Sequence, residues 1–215
     1  MTWHQILRAR LTDVLLEVPP DAPTLCEGWE ARHLAAHVVL RESSLVVGAG
    51  LVVPGMSSRA DSAIDTLADT ARTEGAYRDL VARVGEDPAR WHPMSWAGEA
   101  ANVVEFFVHA EDVRRGSGPV PPPEVEPELV EALWRQTVRA SGLSLRRAPV
   151  GVVLVRDDGI RHQARKPRGA HGTVVVRGAV PEIVLWALGR GPAADVRLEG
   201  DPADVALLSA RLPVA

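Results

Sequence analysis

The segment Asn102-Val103-Val104-Glu105-Phe106-Phe107-Val108-His109-Ala110-Glu111-Asp112-Val113 sets four polar side chains at helical spacing. At about 100° per residue, Asn102, Glu105, His109 and Asp112 fall within about 80° of one another. Val108 flanks that stripe on one side and Phe106 and Val113 on the other; Glu111, Arg114 and Arg115 form the expected solvent face. An acid and an imidazole between apolar neighbours need partners to offset their desolvation, and a metal ion is a partner they can share. Glu105 and His109, at i and i+4, place their Cβ atoms about 6 Å apart. Both can therefore reach one ion. A third ligand from another helix gives a two-His, one-carboxylate set, which on zinc leaves a position open for water or substrate. An ion pair within the helix is the competing reading.

His37 is the best candidate for the third ligand, because its helix should pack against the Glu105 helix in an up-and-down bundle, where inward-facing Glu and His build metal sites. Asp112 then suits an acceptor that orients His109. Arg41, one turn beyond His37, is a candidate to hold an anionic substrate. His33 shares metal-compatible spacing with His37 but reads as a solvated or helix-bridging imidazole. His92 sits in a loop that could close over a site, and Trp91 and Trp96 are candidate pocket walls beside it. His4, His162 and His171 have no identifiable partners. Cys26 is read as a small buried hydrophobe rather than a nucleophile.

The elements that must position these groups follow from periodicity. A first amphipathic helix runs from Trp3 to about Val18 and stops at Pro19-Pro20. A second runs from about Glu30 into the mid-forties, before Gly48, Gly50, Pro54 and Gly55. A third is expected from about Ser62 to Val84, a loop from Gly85 to Ser95 follows, and the polar-stripe helix comes next. Gly116 to Pro123 reads as a stiff linker, then a helix spans Glu126 to about Leu143. The period then changes. Val150 to Arg156, Asp157-Asp158-Gly159 and Ile160 to Ala164 read as a hairpin with an Asp-Gly turn. A strand over Thr173 to Arg177, a helix from Pro181 to Gly189, a strand over Asp195 to Leu198 and a helix from Pro202 to Leu212 complete the chain, with Asp201 as N-cap. The expected organisation is a helical bundle over 1–118, a linker and connecting helix over 119–145, and a small α+β domain over 146–215.

The chain has 215 residues, 46% hydrophobic and 24% charged, enough to bury a sizeable core. A net charge of -4 and a pI of about 6.0 argue against nucleic-acid binding, and no apolar run suggests a membrane span. No secretion signal is expected, and a single cysteine fits a reducing cytoplasm. Of 24 basic residues only Lys166 is lysine, which hints at a high-GC genome.

Pro23-Thr24-Leu25-Cys26-Glu27-Gly28-Trp29, Leu34-Ala35-Ala36-His37 and the Asn102–Asp112 run together resemble the DinB-like, mycothiol-dependent maleylpyruvate isomerase superfamily, and more narrowly an actinobacterial branch of metal-binding proteins. Ala148 to Leu154, Val184 to Arg190 and Leu198 to Pro202 resemble its small C-terminal domain. The resemblance implies a four-helix bundle of the up-down-down-up type followed by an α+β domain. It implies a divalent metal, usually zinc, on His37, Glu105 and His109, with mycothiol as cosubstrate. An open zinc position lowers a thiol's pKa, so the protein needs no nucleophile of its own. Arg177, at the end of a C-terminal strand, joins Arg41 as a candidate carboxylate anchor for cosubstrate or substrate. The chain departs from the characterised isomerases in its loops and in the Glu105-to-Asp112 signature.

Three function classes stay open. The first is a thiol-dependent isomerase or S-transferase, acting as a monomer or homodimer. The second is a metal-assisted hydrolase or amidase, and the third a non-catalytic metal- or ligand-binding protein. No phosphate loop, Gly-x-Ser-x-Gly elbow or dinucleotide fingerprint is present.

Overall fold

Helix α1 (Trp3–Leu16) begins where Gln5 Oε1 accepts from the Thr2 N–H at 3.0 Å, and it buries Leu7, Leu11 and Leu15 along one face. The computed structural model describes residues 2–44, 57–87 and 99–214. Two compact units are present, Met1–Gly118 and Pro119–Ala215. Among the described residues there are eight α-helices and a four-stranded sheet, so the chain is α+β.

The first unit holds α2 (Ala31–Ser43), α3 (Ser57–Asp69), α4 (Glu74–Val84) and α5 (Glu99–Arg114) beside α1. Helix α1 packs against α4 and α5, and α2 packs against α3 and α4. Ala31, Leu34, Ala35 and Val38 of α2, Leu80 and Val81 of α4, and Val103, Phe106 and Val113 of α5 fill the core. The single helix expected from Ser62 to Val84 is two helices. Thr73 starts α4 by accepting from the Ala76 N–H at 3.4 Å, and Glu74 favours the first turn. Gly48, Gly50, Pro54, Gly55, Pro88, Trp91, His92, Pro93 and Trp96 lie outside the described residues.

Helix α2 is enclosed almost all round, since Arg32, His37, Arg41 and Glu42 are buried along with its apolar residues. Arg8 of α1 accounts for Glu42. Its Nη1 and Nη2 donate to the two Glu42 oxygens at 2.7 and 2.8 Å, Nη1 also donates to the carbonyls of Val84 and Glu86, and the guanidinium stacks over the Phe106 ring at 4.6 Å. One buried cation thus ties together α1, α2, α5 and the end of α4.

In the second unit, α6 (Pro127–Ser144) precedes the sheet, with Pro127 at its first position. Strands β1 (Gly151–Arg156) and β2 (Arg161–Arg165) form the expected hairpin, turning at Gly159 with φ 87°. Strand β3 (Thr173–Gly178) pairs parallel with β1, and β4 (Arg197–Glu199) antiparallel with β3, giving the order β2-β1-β3-β4. Helix α7 (Val180–Leu185) runs into a wider turn, Trp186–Arg190, whose helical path breaks at Leu188 and at Gly189, with φ 85°. Helix α8 (Pro202–Ser209) is capped by Asp201, which accepts from the Ala203 N–H at 2.9 Å. No helix among the described residues is long and apolar enough to cross a membrane.

Candidate metal centre

The α5 stripe faces α2 through side chains. His37 Nε2 lies 3.3 Å from Glu105 Oε1, and His109 Nε2 lies 3.2 Å from the same oxygen. One ligand atom from each of the three residues falls within 4.8 Å of the other two. Two donors sharing a tetrahedral zinc ion at ordinary bond lengths stand about 3.4 Å apart. The two imidazoles and one carboxylate therefore fit a divalent ion by donor type and by spacing. His37 and His109 are buried and Glu105 is 27% exposed, so the carboxylate marks the side on which the trio opens.

Asp112, fully buried, fixes the His109 ring, with Oδ2 2.9 Å from Nδ1. That contact leaves Nε2 to face Glu105. The same Asp112 oxygen accepts from Cys26 Sγ at 3.2 Å. Cys26 is therefore not the buried hydrophobe expected from its sequence context; it is half-buried and bonded to the acid that orients His109. Two local features place it there. Gly28 turns the loop with φ 77°, and the Leu25 N–H donates to the Asp112 carbonyl at 3.0 Å. Trp29 ends that loop with its ring centroid 5.1 Å from that of His37.

Arg41 is buried. Its Nη1 and Nη2 both donate to Asn102 Oδ1 at 3.1 Å, and its Nε lies 3.4 Å from Glu105 Oε1. The charges are arranged accordingly. Burial pushes the Glu105 carboxyl up, but hydrogen bonds with His109 and His37 and the nearby cations outweigh it and hold the group well below the usual carboxylate range. Burial pushes His109 down, but hydrogen bonds with Asp112, Cys26 and Glu105 lift it well above the usual imidazole value. For His37 burial wins over the Glu105 hydrogen bond, and its value falls. Without a metal, the trio is a carboxylate between one protonated and one neutral imidazole.

Other expectations resolve differently. His33 is not simply solvated: its Nδ1 accepts from the Glu30 N–H at 3.2 Å, closing the first turn of α2, and it also feels Asp65 and Asp69 of α3. Glu111 and Arg115 are not a solvent face. Both are buried, with Arg115 Nε 2.8 Å from Glu111 Oε2, and Arg114 pairs with Glu111 as well. An i, i+4 pair that satisfies itself can be buried where lone charges cannot. His171 has a partner in Asp204 Oδ1 at 3.1 Å, and His4 Nδ1 lies 3.0 Å from Thr2 Oγ1. Arg177 lies on β3 in the second unit, its Nε 3.1 Å from Glu199 Oε1, with both side chains exposed. Spacing alone does not single out Arg8, Glu42 or Trp29. Only Trp29 had a signal, as the last residue of the Pro23-to-Trp29 motif.

No protein-family model matches the chain, and no curated protein matches it by sequence. Solved structures do. The chain is similar to a crystal structure of the mycothiol-dependent maleylpyruvate isomerase, with a TM-score of 0.61 and 18% identity, covering 92% of this chain and 90% of that one. A crystal structure of a histidine-to-alanine mutant of the mycothiol-dependent maleylpyruvate isomerase matches with a TM-score of 0.61 and 20% identity over the same shares. The chain therefore has the fold of these isomerase structures, in agreement with the resemblance read in its motifs.

Proposed function

We propose that this chain is a metal-dependent enzyme acting with a low-molecular-weight thiol, with His37, Glu105 and His109 holding a divalent ion. The observation that carries this reading is the convergence of two imidazole nitrogens on one Glu105 oxygen, at 3.3 and 3.2 Å, in a chain with this fold. Two histidines and one carboxylate are a zinc donor set, and three protein ligands are the number found at catalytic rather than structural sites. The fold neighbours are mycothiol-dependent, which makes mycothiol the cosubstrate to test first. When bound, the ion supplies a Lewis acid that favours thiolate over thiol near neutral pH.

The chain's own residues hold and shape the site. Asp112 selects the His109 tautomer and fixes its ring. Cys26 sits on the Nδ1 side of His109, away from the nitrogen that faces Glu105, so the attacking sulfur is supplied by the cosubstrate. For isomerisation, the thiolate sulfur forms a C–S bond to one carbon of an activated double bond. The electron pair of the double bond moves onto its activating group, rotation about the resulting single bond follows, and return of that pair expels the sulfur and restores the alkene and the thiolate. With a leaving group in place of the double bond, the same attack is S-transfer.

The test is metal content by mass spectrometry, followed by turnover with and without mycothiol. About one divalent ion per chain, lost in His37→Ala and in His109→Ala, with thiol-dependent turnover, supports the reading. Turnover that needs metal but no thiol would replace it with the hydrolase, and an inability to bind divalent ions would end it.

A further inference from the structure

Arg41 is only 4% exposed, and its donors face protein groups. Both Nη atoms donate to Asn102 Oδ1, and Asn102 lies one turn before Glu105 on α5. Nε faces Glu105 Oε1 at 3.4 Å, the oxygen that His37 and His109 also approach. The other acid nearby is Glu42, with Oε1 3.9 Å from Nη1, and both its oxygens are already held by Arg8 at 2.7 and 2.8 Å. A neutral amide therefore anchors the two Nη donors, and the acid that faces Nε, Glu105, is one that Arg41 shares with His37 and His109.

An arginine that clamps a substrate carboxylate needs free N–H groups at a surface the substrate can reach. At 4% exposure Arg41 offers no such surface. We infer that Arg41 is a positioning residue: fixed by Asn102, it keeps Glu105 turned toward His37 and His109 and leaves the metal centre with surplus positive charge that selects an anionic ligand, a thiolate, over a neutral one. This rests on the reading that the trio holds a divalent ion. A divalent ion with Glu105 and two neutral imidazoles carries one positive charge, which the buried Asp112 carboxylate behind His109 offsets, and Arg41 adds a second cation that leaves the centre net positive by one. In a buried setting, charges a few ångströms apart are weakly screened, so the second charge matters to any incoming anion.

The test loads the native chain, Arg41→Met, Arg41→Lys and Asn102→Asp with Co²⁺ and titrates each with 2-mercaptoethanol and, separately, with imidazole. Binding is followed in the cobalt absorption bands. The expected result is that Arg41→Met binds the thiol about tenfold more weakly while imidazole binding stays unchanged, and that Arg41→Lys recovers most of the loss. Asn102→Asp, which adds a neutralising acid at the anchor, gives the same selective loss and carries the test if Arg41→Met does not fold. Equal losses for thiol and imidazole, or no loss for either, would overturn this inference and leave the metal reading standing. Failure of the native chain to bind Co²⁺ would overturn both.

Discussion

Asp112 Oδ2 lies 2.9 Å from His109 Nδ1, and Asp112 is fully buried while His109 has its other nitrogen 3.2 Å from Glu105. The acid thus decides which ring nitrogen is free to bind an ion. Asp112→Asn keeps the shape but replaces a charged acceptor by a neutral one. Metal affinity should fall about 10- to 100-fold, measured by chelator competition, with little change in the helical circular dichroism. An unchanged affinity would show that His109 needs no orienting partner.

The same contacts set a pH dependence. His109 is held well above its ordinary value, so without metal it carries a proton at neutral pH, and an incoming ion must displace it. Metal affinity should rise with pH through neutrality, by up to about tenfold per pH unit until His109 deprotonates. The metal-free protein should show the opposite trend. A raised folded-state value contributes stability that is complete below the unfolded value of about 6.5 and is lost as pH climbs through the folded value. Melting temperatures across pH 6 to 10, with and without Zn²⁺, should therefore diverge; parallel curves would contradict this assignment of charges.

Arg8 and Glu42 make a prediction about the scaffold. Both are buried and bonded through two N–H···O contacts of 2.7 and 2.8 Å. Glu42→Gln alone should cost about 3–5 kcal/mol in chemical denaturation, because it strands a buried cation. Arg8→Met combined with Glu42→Leu should recover much of that loss. A single variant as stable as the native chain would mean that the carbonyls of Val84 and Glu86 hold Arg8 without help.

What could be read in advance followed from local contrast. The α5 stripe stands out because Phe106 and Val108 flank it, and the hairpin because the Asp158-Gly159 turn signal follows the apolar run Val150 to Val155. Helix α2 offered no such contrast. It is buried on nearly every side, so the depth of Arg41 and Glu42 depends on partners in other helices, Asn102 and Arg8, which no spacing within α2 reveals. The break between α3 and α4 was written in Thr73-Glu74, a cap signal hidden inside a continuous helical pattern. Cys26 has no signal of its polar role in the sequence, because its partner, Asp112, is distant along the chain and meets it only through the fold.

Gly116 links the loop to the site. A Cβ built there would lie 1.9 Å from the Pro23 carbonyl oxygen and 2.6 Å from Thr24 Cα, both of them backbone atoms that cannot rotate away. Gly116→Ala must therefore push the Pro23-to-Trp29 loop off the end of α5, loosening the Leu25 N–H bond to the Asp112 carbonyl and the Cys26 bond to Asp112 Oδ2. We expect a stability loss of about 1–3 kcal/mol, together with faster alkylation of Cys26 and a weaker metal site. Cys26→Ala provides the control, since it removes the thiol bond but leaves the loop seated. If metal affinity falls in Gly116→Ala and not in Cys26→Ala, the loop backbone holds Asp112 in place; if both fall equally, the thiol does.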